Sequence, residues 1–293
     1  MRLRLGDEVV RIAPGDPLLM GIVNATPDSF SDRQGPKDRG ELVERALALV
    51  EDGARIVDVG GESGRTDRPA VSEQEETARI VPLVAALADV GVTVSVDTWR
   101  AGPARAALEA GATMVNDVSG LSDPGLAGLC ARAGAALVIT HTRARPKTKA
   151  FPVYADVVAD VHELLRAGAA GALEAGVAED GLLLDPGFDL AKTPAESVEL
   201  LRRLPELYAL DRPLLLAISR KDFIGALTGR RPGERGAGTL ATVEPALDAP
   251  GAVLRVHDVA AAADFIRVRR ALREGRGPPA GALGEELRRE PGA

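Results

Sequence analysis

Eight apolar runs in this chain end on, or beside, a residue able to do chemistry: Asn24, Asp58, Asp97, Asn116, His141, Asp185, Ser219 and His257. Asp97, Asn116 and Asp185 lie far apart in the chain, so only a fold that gathers strand ends brings them together. Two chemistries suit such a set. Converging carboxylates bind a metal ion, or they read a flat heterocycle with adjacent N–H donors. An ionised carboxylate accepts two parallel N–H bonds, while asparagine both donates and accepts. A 2-amino-4-oxo ring fits the second option. Lys221, in "AISRKDFIG", offers a donor to the carbonyl or nitrogen acceptors of such a ring, and Arg255 offers a planar guanidinium able to stack on its face.

A second set suits phosphate: Asn24, Arg65, Arg255 and His257. Arginine presents a bidentate fork to phosphate oxygens, and histidine donates one or two hydrogen bonds. Asn24 is a neutral oxygen ligand of the kind Mg²⁺ accepts when phosphates and waters supply the rest. Arg65 stands in "GGESGRTDRP" (60–69), directly after the run "RIVDV" (55–59).

The elements that must position these residues are legible from periodicity. The runs are "LLMGIV" (18–23), "RIVDV" (55–59), "VTVSVD" (92–97), "TMVNDV" (113–118), "ALVIT" (136–140), "LLLD" (182–185), "LLLAIS" (214–219) and "AVLRV" (252–256). Most are continuously apolar, as strands buried on both faces of a parallel sheet are. Helical patterns lie between them: 40–53, a helix opened by the capping box Ser72–Glu75 and kinked or delayed by Pro82, and others near 101–110, 124–133, 156–175, 194–203, 239–248 and 259–273. Strands alternating with helices predict a parallel (β/α)8 TIM barrel, whose active site lies at the C-terminal ends of its strands. Loops 24–40, 60–72 and 141–153 are longer than packing needs, which suits binding or lid roles. A short N-terminal β-hairpin turning at Gly6-Asp7 precedes the barrel. Residues 1–274 are expected to form one domain and residues 275–293 a poorly ordered tail.

Composition narrows the classes. The chain has 293 residues, 45% of them apolar but only 3% aromatic, so its core is built of Ala, Leu and Val. The net charge is −7 and no basic stripe carries interleaved aromatics, which argues against nucleic acid. A single cysteine, Cys130, excludes an internal disulfide and a cysteine zinc cluster, and its helical surroundings make it a small core residue. His162, within a helical pattern, is expected on the surface. No apolar run approaches a membrane span, and the N-terminus is neither signal peptide nor anchor, so cytoplasm is the expected compartment.

"MGIVNATPDSFSD" (20–32), "DVGGES" with Arg65, "VSVDT" with Asp97, "VNDVSG" with Asn116, "DPGF" with Asp185, "SRK" with Lys221 and "RVHDV" with Arg255 and His257 resemble the dihydropteroate synthase signatures in order and spacing, over roughly residues 15–270. The resemblance implies a barrel enzyme of folate synthesis, an alkyl transferase. It joins 6-hydroxymethyl-7,8-dihydropterin diphosphate to p-aminobenzoate with release of pyrophosphate. It implies that Asn24 holds Mg²⁺ and pyrophosphate, and that Arg65, Arg255 and His257 bind the leaving group. Asp97, Asn116, Asp185, Lys221 and Arg255 would bind the pterin, with Asp97 and Lys221 catalytic. Members of the family are usually homodimers.

The chain departs from the family pattern at a few positions. Gly64 and Thr66 replace a threonine and a proline in the second loop. Asp189 and Leu190 replace a glycine and a phenylalanine in "DPGFDLAK", and Thr142 and Ala144 replace a methionine and a glycine in "HTRARP". Gly64, Thr66 and Leu190 fall where the family builds its p-aminobenzoate pocket, so a weakened or altered amine-acceptor site is expected. Two other readings share the pterin site. One is a synthase-like paralogue using another amine or of little activity, and the other is a pterin-binding methyltransferase or non-catalytic module. The pyrophosphate set Asn24, Arg65 and His257 argues against the second of these.

Overall fold

The computed structural model describes residues 1–26, 38–62 and 68–275, with Gly277 and Leu287 beyond them. Strands β1 (Arg2–Leu5) and β2 (Glu8–Arg11) form the expected hairpin, with Leu5 opposite Glu8 across the two-residue Gly6-Asp7 turn. Gly6 takes φ 63, the left-handed backbone that glycine adopts without a Cβ penalty.

The eight apolar runs become β3 (Leu18–Asn24), β4 (Ile56–Gly60), β5 (Val94–Asp97), β6 (Met114–Asp117), β7 (Ala136–Thr140), β8 (Leu182–Asp185), β9 (Leu214–Leu216) and β10 (Ala252–Val256). They pair in parallel and close into a barrel of order β10-β3-β4-β5-β6-β7-β8-β9. The predicted TIM barrel is therefore present. Nine α-helices lie among the described residues: α1 (Arg39–Glu51), α2 (Glu73–Asp89), α3 (Ala101–Glu109), α4 (Gly125–Ala133), α5 (Val157–Glu174), α6 (Pro194–Arg202), α7 (Asp222–Thr228), α8 (Gly236–Ala246) and α9 (Val259–Glu274). Among the described residues one α-helix follows each barrel strand, except that β9 is followed by two.

Several helices begin at a side-chain cap, which satisfies amides the first turn leaves open. Asp38 accepts from the Glu41 amide at 3.0 Å, Ser72 from Glu75 at 3.1 Å and Asp258 from Ala261 at 3.0 Å. Thr193 and Glu196 form a reciprocal capping box on α6. Pro82 does not delay α2, which opens at the expected cap Ser72 and runs on to Asp89 with Ile80, Leu83, Val84 and Leu87 buried. Packing of that face outweighs the backbone hydrogen bond the proline removes. Strand β9 stops three residues before the run predicted to 219, because the chain turns there, with Arg220 at φ 58. Helix α7 was not predicted, its seven residues being too few to show a period. Cys130 is buried, as expected, and His162 is partly exposed on α5. The tail expected beyond 274 lies almost wholly outside the described residues.

The barrel interior sets the site. Met20, Ile56, Met114, Ala136, Val138, Leu183, Leu215 and Val253 pack inside it, closed from below by Leu3, Leu5 and Ile12 of the hairpin segment. The alternate strand residues face outward and join the larger cluster beneath the helices.

Candidate active site

Strand periodicity carries the interior line upward into the barrel mouth. Two residues beyond Ile56, Met114, Leu183 and Val253 come Asp58, Asn116, Asp185 and Arg255, and four beyond Met20 comes Asn24. Asp97 is in register with Asn116 on one side and Gly60 on the other. Most of the strand-end residues singled out in the sequence thus reach one face.

Their centre is an arginine between carboxylates. Arg255 donates from Nε to Asp58 Oδ2 at 2.6 Å and from Nη2 to Asp97 Oδ2 at 2.9 Å, reaching past β3 to β4 and β5. Asn116 Nδ2 donates to the same Asp58 oxygen at 3.1 Å, which fixes the amide so that its Oδ1 remains an acceptor. Asp58 is fully buried. Asp58 Oδ1, Asn116 Oδ1 and Thr140 Oγ1 are buried without a hydrogen bond from the described residues, so the mouth is matched to a ligand rich in N–H donors. The metal option for the carboxylates loses ground, because the guanidinium already occupies the position between Asp58 and Asp97. Among the described residues no group of three His, Cys, Asp or Glu is arranged to hold a metal ion.

Burial pushes the Asp97 carboxyl up to about 7, with Arg255 drawing it down and Asp58 pushing it further up. Asp185 is also raised by burial, against the hydrogen bond from the Gly187 amide (2.7 Å) and the charges of Lys221, Lys192 and Arg255. Burial lowers Lys221, whose ammonium donates to the Phe188 carbonyl at 2.8 Å, across from β8.

The phosphate side lies at the open rim. Asn24 ends β3 exposed, and its Oδ1 faces Gly60, where a Cβ would come within 3.5 Å. His257 Nδ1 lies 2.9 Å from Ser219 Oγ. Burial and then the charges of Arg220, Arg255, Lys221 and Arg45 push His257 down to about 4, so the ring is neutral at pH 7 amid a cationic cluster suited to an anion. Arg65, with Gly64 and Thr66, lies outside the described residues. The root of its loop is fixed: Glu62 pairs with Arg100 at 2.9 Å, and Arg100 also holds Glu76 and the Val71 carbonyl.

The segment after β8 is wound tightly. Gly187 takes φ 69, and a Cβ there would lie 2.0 Å from the His141 carbonyl oxygen. Asp189 and Ala191 also have positive φ, 64 and 52. Lys192 turns inward and is only 1% exposed. Its ammonium donates to His141 Nδ1 (2.8 Å) and to the Gly187 and Leu190 carbonyls (2.9 and 3.1 Å). His141 Nε2 then meets Asp160 at 2.7 Å, and Arg143 grips both Asp160 oxygens at 2.9 Å. His141 therefore belongs to a buried staple between the loops after β7 and β8, not to the mouth. Leu190, where the family pattern has phenylalanine, is half-buried.

Sequence reasoning gave no role to Asp58, although it stood among the strand ends, nor to Arg220, although it stood inside "SRK". It missed Lys192, whose burial nothing in the local pattern signals. Among the described residues no helix is long and apolar enough to cross a membrane.

Comparison with known proteins agrees with this geometry. A family model described as pterin binding enzyme matches residues 20–257. The dihydropteroate synthase of Mycobacterium leprae is 44% identical over 259 residues, covering 85% of this chain and 91% of that protein. A dihydropteroate synthase structure from Xanthomonas albilineans with 4-aminobenzoic acid superposes with TM-score 0.84 at 39% identity, covering 94% of this chain and 99% of that one. The same enzyme in complex with 7,8-dihydropteroate gives TM-score 0.83 at 39% identity, with 95% and 100% covered. An interior of hydrogen-bonding side chains, a cationic rim and these likenesses converge: the chain belongs to the pterin-binding enzyme family, among its dihydropteroate synthases.

Proposed function

We propose that the barrel-mouth residues divide the dihydropteroate synthase reaction into pterin reading, cation stabilisation and leaving-group binding. The observation that carries this reading is the buried Asp58–Arg255–Asp97 bridge with Asn116 locked against it. Asp185 and Asn116 Oδ1 accept the N–H groups of the 2-amino-4-oxo edge, and Lys221 donates to its carbonyl or ring nitrogen. Arg255, fixed in plane by two carboxylates, provides a flat surface for the ring.

The reaction breaks the bond between the pterin methylene carbon and the diphosphate oxygen, whose electron pair leaves with pyrophosphate. The amine lone pair of p-aminobenzoate forms the new C–N bond, and the amine then loses a proton. Positive charge develops on the pterin as the C–O bond lengthens. Asp97, already held in place by Arg255, stabilises that charge without reorganising. Arg220, Arg255 and His257 face the departing pyrophosphate, and we assign Arg65 to the same group. Asn24 would hold Mg²⁺ as one neutral oxygen ligand, with substrate phosphate oxygens and waters needed for the rest, since a lone exposed amide oxygen cannot hold the ion by itself. When bound there, Mg²⁺ neutralises charge on the leaving group. A cytoplasmic homodimer is the assembly we propose for the chain.

Leu190 offers a smaller contact than phenylalanine to the benzene ring of the acceptor, so a raised Michaelis constant for p-aminobenzoate is part of the proposal. The test is pyrophosphate release by the purified protein, given the pterin diphosphate, Mg²⁺ and p-aminobenzoate. Release that requires all of these is expected. Release indifferent to the amine, or none at all, contradicts the proposal.

A further inference from the structure

Asp189 adopts φ 64, a backbone region in which a non-glycine residue costs about 1 kcal/mol or more. A side chain kept there invites the question of what it does. Its carboxylate touches two other elements. Oδ1 accepts from Ser197 Oγ of α6 at 3.1 Å, and the same hydroxyl accepts from the Asp189 amide at 3.0 Å. Oδ2 accepts from the backbone amide of Asp222, the first residue of α7, immediately after Lys221. Lys221 serves as the N-cap residue of that helix but makes no side-chain cap bond, so Asp189 supplies the cap from across the loop.

The turn is gripped from its other side by Arg235. Its Nη1 donates to the carbonyls of Arg220 (2.8 Å) and Lys221 (3.1 Å) and to Asp222 Oδ1 (3.0 Å). Lys221 in turn donates to the carbonyl of Phe188, the neighbour of Asp189. The loop after β8 and the Lys221 turn are therefore sewn together twice, once by the lysine and once by the carboxylate.

We infer that Asp189 is a positioning residue for Lys221, its carboxylate bridging the β8 loop to the first turn of α7 so that the ammonium stays charged and aimed at the pterin. This inference rests on the assignment of Lys221 to the pterin edge. The charged and titratable groups around Lys221 come from several elements: Asp185 on β8, Asp189 and Lys192 in the loop after it, Asp222 on α7, Arg255 on β10 and the neutral His257 beside it. Burial drives Lys221 toward its neutral form, and Asp189 is the foremost of the charges that oppose it. Asp185 belongs to the substrate contacts, which leaves Asp189 free to hold the charge throughout the cycle.

The experiment compares Asp189→Asn, Asp189→Gly and Lys221→Met in the full-length protein, by the pH profile of kcat/KM for the pterin diphosphate and by thermal unfolding. Asp189→Asn keeps an acceptor oxygen for the Asp222 amide but drops the charge. The basic limb of its profile should move to lower pH by about half a unit or more, with little change in Tm. Asp189→Gly removes the bridge and relieves the backbone, so KM for the pterin diphosphate should rise about fivefold while kcat stays within about twofold. A wild-type basic limb and wild-type KM in both variants overturns the inference, whatever happens to Tm. Lys221→Met separates the two levels. If it loses pterin affinity while the Asp189 variants do not, only the bridge is wrong. If it binds pterin like wild type, the site assignment fails and the inference falls with it.

Discussion

Replacing Asp58 by asparagine isolates the charge at the centre of the site. Asp58 and Asp97 share one guanidinium, at 2.6 Å from Nε and 2.9 Å from Nη2, so their carboxylates stand side by side on the same fork. A like charge about 5 Å away, at an effective dielectric of about 20, is worth on the order of 3 kcal/mol, or about two pH units. Burial opposes ionisation of Asp97 in either protein, but the Asp58 contribution disappears in the variant, and Arg255 then serves Asp97 alone. Asp97 must be ionised to stabilise the developing cation. The acid limb of kcat/KM for the pterin diphosphate should therefore lie near 7 in the wild type, where Asp97 is pushed up to about 7. In Asp58→Asn it should move down by about one to two units. Activity at the optimum should fall about tenfold to a hundredfold, because the Arg255 Nε bond weakens and the ring surface loosens. A folded Asp58→Asn protein with its acid limb still at the wild-type pH would refute the assignment of that limb to Asp97.

Other expectations follow from single contacts. His141 is fully buried with its pKa pushed down to about 4 from an ordinary 6.5, so the unfolded chain takes up the proton first as pH falls. The stabilisation from neutral His141 is complete above about pH 6.5 and shrinks toward pH 4, by about 2 kcal/mol between pH 7 and pH 5. Urea unfolding at those two pH values should show a difference of that order in wild type and a smaller one in His141→Gln. Lys192→Met strands the acceptors of His141, Gly187 and Leu190, and should lower stability by about 3 kcal/mol in the same assay. Leu190→Phe should lower KM for p-aminobenzoate by about threefold to tenfold without changing KM for the pterin. Chelation of Mg²⁺ should raise KM for the pterin diphosphate but leave binding of a pterin without phosphate unchanged.

The fold was legible because a parallel barrel writes itself as apolar runs spaced by amphipathic helices, each run closing on a polar residue where it leaves the core. Asn24, Asp97, Asn116, Asp185 and His257 could be marked for that reason alone, whereas Arg255, inside its run, was marked by its guanidinium. What escaped depends on contacts across the barrel. Asp58 reads as one more strand residue until Arg255, 197 positions away, is seen to reach it. Lys192 is a charged residue in a loop, and only the fold shows the acceptors, on His141, Gly187 and Leu190, that let it stay buried. The later start that Pro82 suggested for α2 does not occur, because local propensity ignores the buried face that carries the helix past it. Asp189 read as a lost glycine, whereas its carboxylate caps a helix from a distant loop.

We assign Asp185 and its neighbours at the barrel mouth to the pterin edge. Calorimetric titration of the pterin diphosphate into wild type and Asp185→Ala, with Mg²⁺ and without p-aminobenzoate, tests it most directly. Removing a buried carboxylate that accepts paired N–H bonds should weaken binding about a hundredfold, with the variant still folded by circular dichroism. Binding of equal affinity in the two proteins would contradict that assignment.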